Sequence, residues 1–441
     1  MHPPRRRFRS LVAALCLIAL SLPAVAASPA AAGPRATVAE VAAAIDKNFY
    51  DPQRAQRLAA QLRAEADSGR YDAYRDPRDL ATALSERLRT EDNHFRVEWR
   101  EPAKAPPGAR GPGPGSAGPN TAFADAARRA NYGVRALETL PGNLGYLDLR
   151  ELPDIDFADA ADPARRALDA ALALLAGRDA VIIDLRRNGG GSPAAVGYLT
   201  SAFTARGAPV YNIFRSREGG RLRNESEAPE QWYPNPRLDV PLYLLTSART
   251  GSAAEALAYT LQAARRATVI GETSAGAANP GGEFPLSAGY SMFVSTGSPT
   301  NPITGDNWEG RGVQPDVAVD QAQALSAAQS RALERILAQR GDGLAAAEAR
   351  WILEALQTKA APAAPADYLG QYERLRVDQQ DGHLTLRDGR RPAQALTALQ
   401  PDLFCLSDDP RVRVRFERAA DGRVAALETQ LADGRSKRYR R

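Results

Sequence analysis

The chain has 441 residues, 44% of them hydrophobic and 25% charged, which is enough for a sizeable core spread over about three domains. Such a composition excludes a disordered or fibrous protein. The formal charge of +5 hints at a polyanion partner, but four of the 57 basic residues, Arg5, Arg6, Arg7 and Arg9, crowd into the first nine positions.

Those arginines lead into a short apolar run, Leu11 to Leu22, and then Ala24-Val25-Ala26 before Ala27, which reads as a cleavable secretory signal over residues 1–26. The run is shorter than the roughly 20 residues that span a bilayer, so no stable membrane anchor is expected. Its removal leaves 53 basic residues against 52 acidic ones, and with them lapses the argument for nucleic acid. The expected location is the periplasm of a Gram-negative cell, or otherwise the medium. Leu15 before Cys16 departs from the small residue a lipoprotein site requires. The mature chain keeps Cys405 alone and the histidines His94 and His383, so no internal disulfide, metal or cofactor is expected.

Apolar positions Val38, Val41, Ala44, Ile45 and Phe49, then Leu58, Leu62, Leu80, Leu84 and Leu88, recur at helical spacing and predict a helical domain over 34–100. Residues 101–122 form a linker, because Glu101 to Asn120 hold six prolines and five glycines. From 123 to 320 short apolar strands alternate with helices: strands at 144–149, 180–185, 210–214, 242–245 and 268–271, helices at 162–176, 194–203 and 252–265. That order predicts an α/β core with a largely parallel sheet, and Val181-Ile182-Ile183 suits a strand buried on both faces. Residues 321–365 read as a helical connector. Alternating runs such as Val412 to Phe416, punctuated by Asp-Gly pairs, predict a small all-β module over 366–441.

Two segments can carry chemistry. Ser252 opens a helix after the strand at 242–245, where it caps the helix with Glu255 in a Ser-x-x-Glu box, acts as a nucleophile beside helix-start amides, or does both. Asn188-Gly189-Gly190-Gly191 follows the buried strand; it is a tight turn or a set of bare amides for an oxyanion, and it lacks the lysine of a phosphate loop.

Together with Pro141 to Arg150, Gly271-Glu272-Thr273 and Trp308 to Asp316, these segments resemble the S41 family of serine peptidases. The likeness runs over residues 34–320 and is strongest to the branch of tricorn protease and the interphotoreceptor retinoid-binding proteins. It implies a ClpP/crotonase-like core and peptide or protein substrates. The Ser-Lys dyad of C-terminal processing proteases lacks its base here, since Ser274 to Asn279 contain no lysine. The tricorn-like arrangement instead implies His94 as base and Glu309, in Glu309-Gly310-Arg311-Gly312-Val313-Gln314-Pro315-Asp316, as the acidic partner. It implies an oxyanion hole of the Ala253 amide and one from Gly189 to Gly191, Gly190 being the choice. A lone histidine is otherwise a satisfied surface or core residue, and Glu309 a surface partner of Arg311. Asn93 stands where tricorn-like enzymes tend to have serine, and no PDZ module is found. The rival expectation is a carrier of retinoid-like or other apolar ligands on the same fold. Oligomeric state is not readable from these residues.

Overall fold

The computed structural model describes residues 33–101, 121–218, 220–358 and 365–441. The expected signal (1–26) and nearly all of the expected linker (101–122) fall outside them. The N-terminal stretch forms α1 (Pro34–Asn48), α2 (Pro52–Asp67), α3 (Pro77–Arg89) and β1 (Arg96–Trp99). Each helix begins on a proline, whose fixed φ and missing N–H suit the first turn, and Asp51 and Asp76 cap α2 and α3. After α4 (Thr121–Arg129) and β2 (Val134–Leu140) come β3 (Leu144–Leu149), α5 (Pro163–Leu175), β4 (Ala180–Asp184) and α6 (Pro193–Ser201). A hairpin of β5 (Ile213–Glu218) and β6 (Arg221–Ser226) precedes β7 (Leu242–Thr246), α7 (Ala253–Ala263) and β8 (Thr268–Gly271). The chain continues through β9 (Gly281–Pro285), β10 (Tyr290–Ser295), β11 (Gly297–Thr300), β12 (Val317–Ala318), α8 (Ala324–Arg340) and α9 (Leu344–Gln357). Eight further strands run from β13 (Gly370–Tyr372) to β20 (Ser436–Arg440).

The central sheet has the order β12-β8-β7-β4-β3-β2 and is parallel except for β2 against β3. Strands β3, β4 and β7 are buried at every position, as their unbroken apolar runs require. One face packs on α5, α6 and α7 through Leu168, Leu199 and Leu257. The other packs on α8 and α9: Ala324, Ala328, Ala332, Leu333 and Ile336 share a cluster with Ile182, Tyr243 and Ile270. The stretch read as a connector is therefore the second covering layer of the core, because its apolar positions recur at helical spacing and meet the sheet.

The N-terminal region is also less separate than a helical domain. Strand β1 pairs antiparallel with β10, and Phe95 and Val97 are buried with Met292 and Val294. The tail is an antiparallel sheet in which β13 to β20 follow one another in chain order, matching the expected all-β module. Cys405 is buried there, and that burial pushes its thiol up to about 11. No helix among the described residues is long and apolar enough to cross a membrane.

Candidate active site

Ser252 sits where β7 has ended and α7 begins. The preceding loop is sewn to the loop after β4: Ser247 Oγ donates to the Arg186 carbonyl (2.6 Å), Thr250 Oγ1 to the Leu185 carbonyl (2.8 Å) and the Gly251 amide to the Asn188 carbonyl (3.0 Å). Held this way, Ser252 has φ 52° and ψ −123°, a conformation that costs a residue with a side chain about 1–3 kcal/mol. Ala253 opens α7, so its amide is among those a helix leaves without an internal acceptor, at the positive end of the dipole.

Glu255 is wholly buried and meets four donors. Its Oε2 accepts from the amides of Ser252 (2.8 Å) and Ala277 (2.9 Å), its Oε1 from Ser274 Oγ (2.5 Å) and the Gly276 amide (2.6 Å). The Ser252–Glu255 bond is the reciprocal arm of the expected box; the other three tie α7 to the 274–277 loop.

The glycine loop lies against Ser252. A Cβ built on Gly190, whose φ is +121°, would fall 2.8 Å from Ser252 Cβ and 3.1 Å from the Ala253 nitrogen, so only glycine fits. The Gly190 amide, the expected oxyanion donor, instead donates to Asn188 Oδ1 at 2.9 Å. The physical reason is an Asx turn: Asn188 is fully buried, anchored by Nδ2 on the Leu149 carbonyl, and folds its side-chain oxygen over the amide two residues on.

His94 follows the end of α3, just before β1. Its backbone amide donates to Asp92 Oδ1 (2.9 Å), and its Nδ1 lies 3.2 Å from both Asp92 Oδ1 and Glu309 Oε1. Carboxylate oxygens only accept, so Nδ1 carries a proton and Nε2 is the nitrogen left for other work. Glu309 Oε2 is held in turn by the amides of Ala278 (2.8 Å) and Asn279 (3.0 Å), and Asn279 Nδ2 donates to Asp92 Oδ2 (3.3 Å). Consecutive amides thus serve two carboxylates: Gly276 and Ala277 bind Glu255 beside Ser252, Ala278 and Asn279 bind Glu309 beside His94. No direct hydrogen bond joins His94 to Ser252 among the described residues.

The electrostatics favour an imidazolium. The hydrogen bond to Asp92, then that to Glu309, push His94 up to about 10 against the opposing pull of burial. Burial raises Asp92, but its bonds from His94 outweigh this and leave the carboxyl below its usual range. Asp92 was not singled out from sequence, although an acid two residues before a histidine can close such a turn. His94, Asp92 and Glu309 also present three ligand atoms within 4.8 Å of one another, a set able to hold a divalent ion. His383 lies far along the chain in the β-module and is exposed.

Residues 143–319 match the profile of peptidase family S41. The chain is 28% identical over 186 residues to a carboxy-terminal-processing protease of Bartonella bacilliformis, covering 41% of this chain and 39% of that protein. It is 31% identical over 145 residues to a carboxyl-terminal-processing protease of Synechocystis sp., covering 33% and 32%. The alignments thus span less than half the length of these relatives. Among solved structures, a photosystem II D1 C-terminal processing protease superposes with a TM-score of 0.42 and 18% identity over 65% of this chain and 93% of that one.

Proposed function

Because residues 143–319 match the profile of peptidase family S41, we propose that the protein is an exported serine peptidase acting through an acyl-enzyme. Ser252 Oγ attacks the peptide carbonyl and passes its proton to His94 Nε2. The Ala253 amide receives the oxyanion, each such donor being worth about 3 kcal/mol of barrier. With the Gly190 amide taken by Asn188, the second donor falls to Gly189 or Gly191, the other amides of the glycine loop. The imidazolium then protonates the leaving amine. Water, deprotonated at the same Nε2, releases the acyl group. Asp92 and Glu309 hold the ring by Nδ1 and stabilise its charge.

The observation that carries this reading is the Gly276–Asn279 run, whose successive amides bind the carboxylate beside Ser252 and then the carboxylate beside His94. Successive Cα atoms are about 3.8 Å apart, which keeps the two groups in one neighbourhood. The strained Ser252 backbone supports it further, since such strain gathers at working sites. With His94 at about 10, roughly one molecule in 300 holds a neutral imidazole at pH 7.5, so turnover should climb through the alkaline range rather than near pH 6.5.

The test is labelling by a fluorophosphonate in the presence of EDTA. Wild type should be labelled and Ser252→Ala should not. Absence of labelling together with stoichiometric binding of an apolar ligand would replace the peptidase by the carrier, and loss of activity on chelation would assign Asp92, His94 and Glu309 to a metal. The substrates proposed are peptides or proteins, with no nucleic-acid partner.

A further inference from the structure

The cluster around His94 has a geometry that suits more than a proton. Its three ligand atoms, one each from Asp92, His94 and Glu309, lie within 4.8 Å of one another, and His94 Nδ1 stands 3.2 Å from both Asp92 Oδ1 and Glu309 Oε1. Ligands about 2.1 Å from a tetrahedral zinc ion are about 3.4 Å apart. Each carboxylate is also braced through its far oxygen: Glu309 Oε2 accepts from the Ala278 and Asn279 amides (2.8 and 3.0 Å), and Asp92 Oδ2 from Asn279 Nδ2 (3.3 Å). The oxygens beside Nδ1 are then the ones free to ligate, and outer bonds of this kind hold metal ligands in place. Asp92 Oδ1 takes the His94 amide as well, which leaves it a second lone pair.

A separate observation points to an ion. Asn279 is only 5% exposed, yet its Oδ1 has no hydrogen-bond donor among the described residues. That oxygen shares one planar amide with the Nδ2 bound to Asp92, which places it at the edge of the cluster. Buried acceptors are normally matched, and a cation held by Asp92, His94 and Glu309 matches this one. The side chains of His94 and Glu309 are each 22% exposed, so an ion has a path in from solvent.

Resting on the peptidase reading above, we infer that Asp92, His94, Glu309 and Asn279 form an inhibitory site for a divalent transition ion of the zinc type. An imidazole nitrogen among carboxylate and amide oxygens suits such an ion better than magnesium or calcium, which prefer oxygen alone. The inhibition follows from where the ring protons go. The ion takes the Nδ1 lone pair, so the proton of the imidazolium at Nδ1 leaves to solvent while the other stays on Nε2. A protonated Nε2 cannot accept the proton of Ser252 Oγ.

Zinc chloride is titrated calorimetrically into the full chain carrying Ser252→Ala, stripped of metal with EDTA and then of the EDTA. One equivalent should bind at the cluster. Glu309→Gln, which keeps an oxygen for the Ala278 and Asn279 amides, and Asn279→Ala should each weaken binding by about 10–100-fold once melting curves confirm that they fold, whereas His383→Gln should leave it unchanged. No binding, or binding that neither cluster substitution weakens, overturns the site. In the same chain labelled with ¹⁵N-histidine, zinc should bring the His94 Nδ1 resonance to a metal-bound position with the proton on Nε2; zinc on Nε2, or His94 unmoved, overturns the proposal without any cluster variant. In wild type, saturating zinc should slow fluorophosphonate labelling of Ser252 by about a hundredfold, magnesium should not, and EDTA should restore the rate. Zinc that binds without slowing labelling, or labelling that requires zinc, overturns the inhibition. Zinc held at His94 in a chain never labelled under EDTA sinks the peptidase reading alone.

Discussion

Substituting Asp92 by Asn keeps an oxygen for the His94 amide while deleting the largest contribution to the charge on the ring. The histidine pKa stands at about 10 against an ordinary 6.5, a difference of roughly 3.5 units or about 5 kcal/mol between its protonation states. Two carboxylates share Nδ1, each at 3.2 Å, and in an effective dielectric near 20 either pairing is worth about 5 kcal/mol before burial is charged against it. Losing one therefore removes about half the net effect, and Asp92→Asn should drop the pKa by about two units. The assay is an NMR titration of ¹⁵N-labelled histidine in Ser252→Ala, from pH 5 to 11. Three histidines in the whole chain, one of them His2 in the expected signal, keep assignment simple, with exposed His383 as internal reference. The alkaline limb of kcat/KM should move down in parallel. A midpoint that stays within half a unit of the parent would refute the idea that these carboxylates set the basicity of the ring.

Glu255→Gln halves the accepting capacity of a fully buried group with four donors, so at least one amide is left facing an NH2; stability should fall by about 2–5 kcal/mol in urea unfolding, with turnover lost alongside. Gly190→Ala inserts a methyl 2.8 Å from Ser252 Cβ in a strained backbone, and steady-state kinetics should show kcat down by about 10²–10³. Ser252→Gly should be more stable than Ser252→Ala by about 1 kcal/mol in the same denaturation assay, because glycine adopts φ 52° without strain; equal stabilities would argue against stored strain at that turn. Glu227 is fully buried, raised to about 8 by that burial, and bonded through Oε2 to Asn212. Its folded pKa exceeds the unfolded one, so stability present below about pH 4.5 is lost progressively as pH rises towards 8. Melting temperatures across that window should flatten in Glu227→Gln.

The parts of the fold readable in advance are those whose cause is local. Val181-Ile182-Ile183 has no exposed face to alternate with, Pro163 and Pro193 open α5 and α6 behind Asp162 and Ser192, and Ser252 with Glu255 marks the start of α7. What escaped depends on residues distant in sequence. Strand β1 is four residues whose partner lies nearly two hundred positions away, and the β5–β6 hairpin is too polar to alternate clearly. Helix α8 gave the right periodicity, but the sheet face that receives it cannot be read from its own residues. At the candidate site, Ser252, His94 and Glu309 stood out through family likeness. Asp92 and the amides of Gly276 to Asn279 did not, because backbone donors carry no signature in the residues that bear them.

On the peptidase reading, the pairing of β1 with β10 bears on when the candidate active site is assembled. Residue 94 is made early, and its segment docks only once Arg96 pairs with Phe293 across almost half the polypeptide. Closing so long a loop is among the slow steps of assembly, since its entropy is spent before any contact repays it. On the peptidase reading, a partly synthesised chain therefore carries an inert serine, and hydrolytic competence would be a late product of folding.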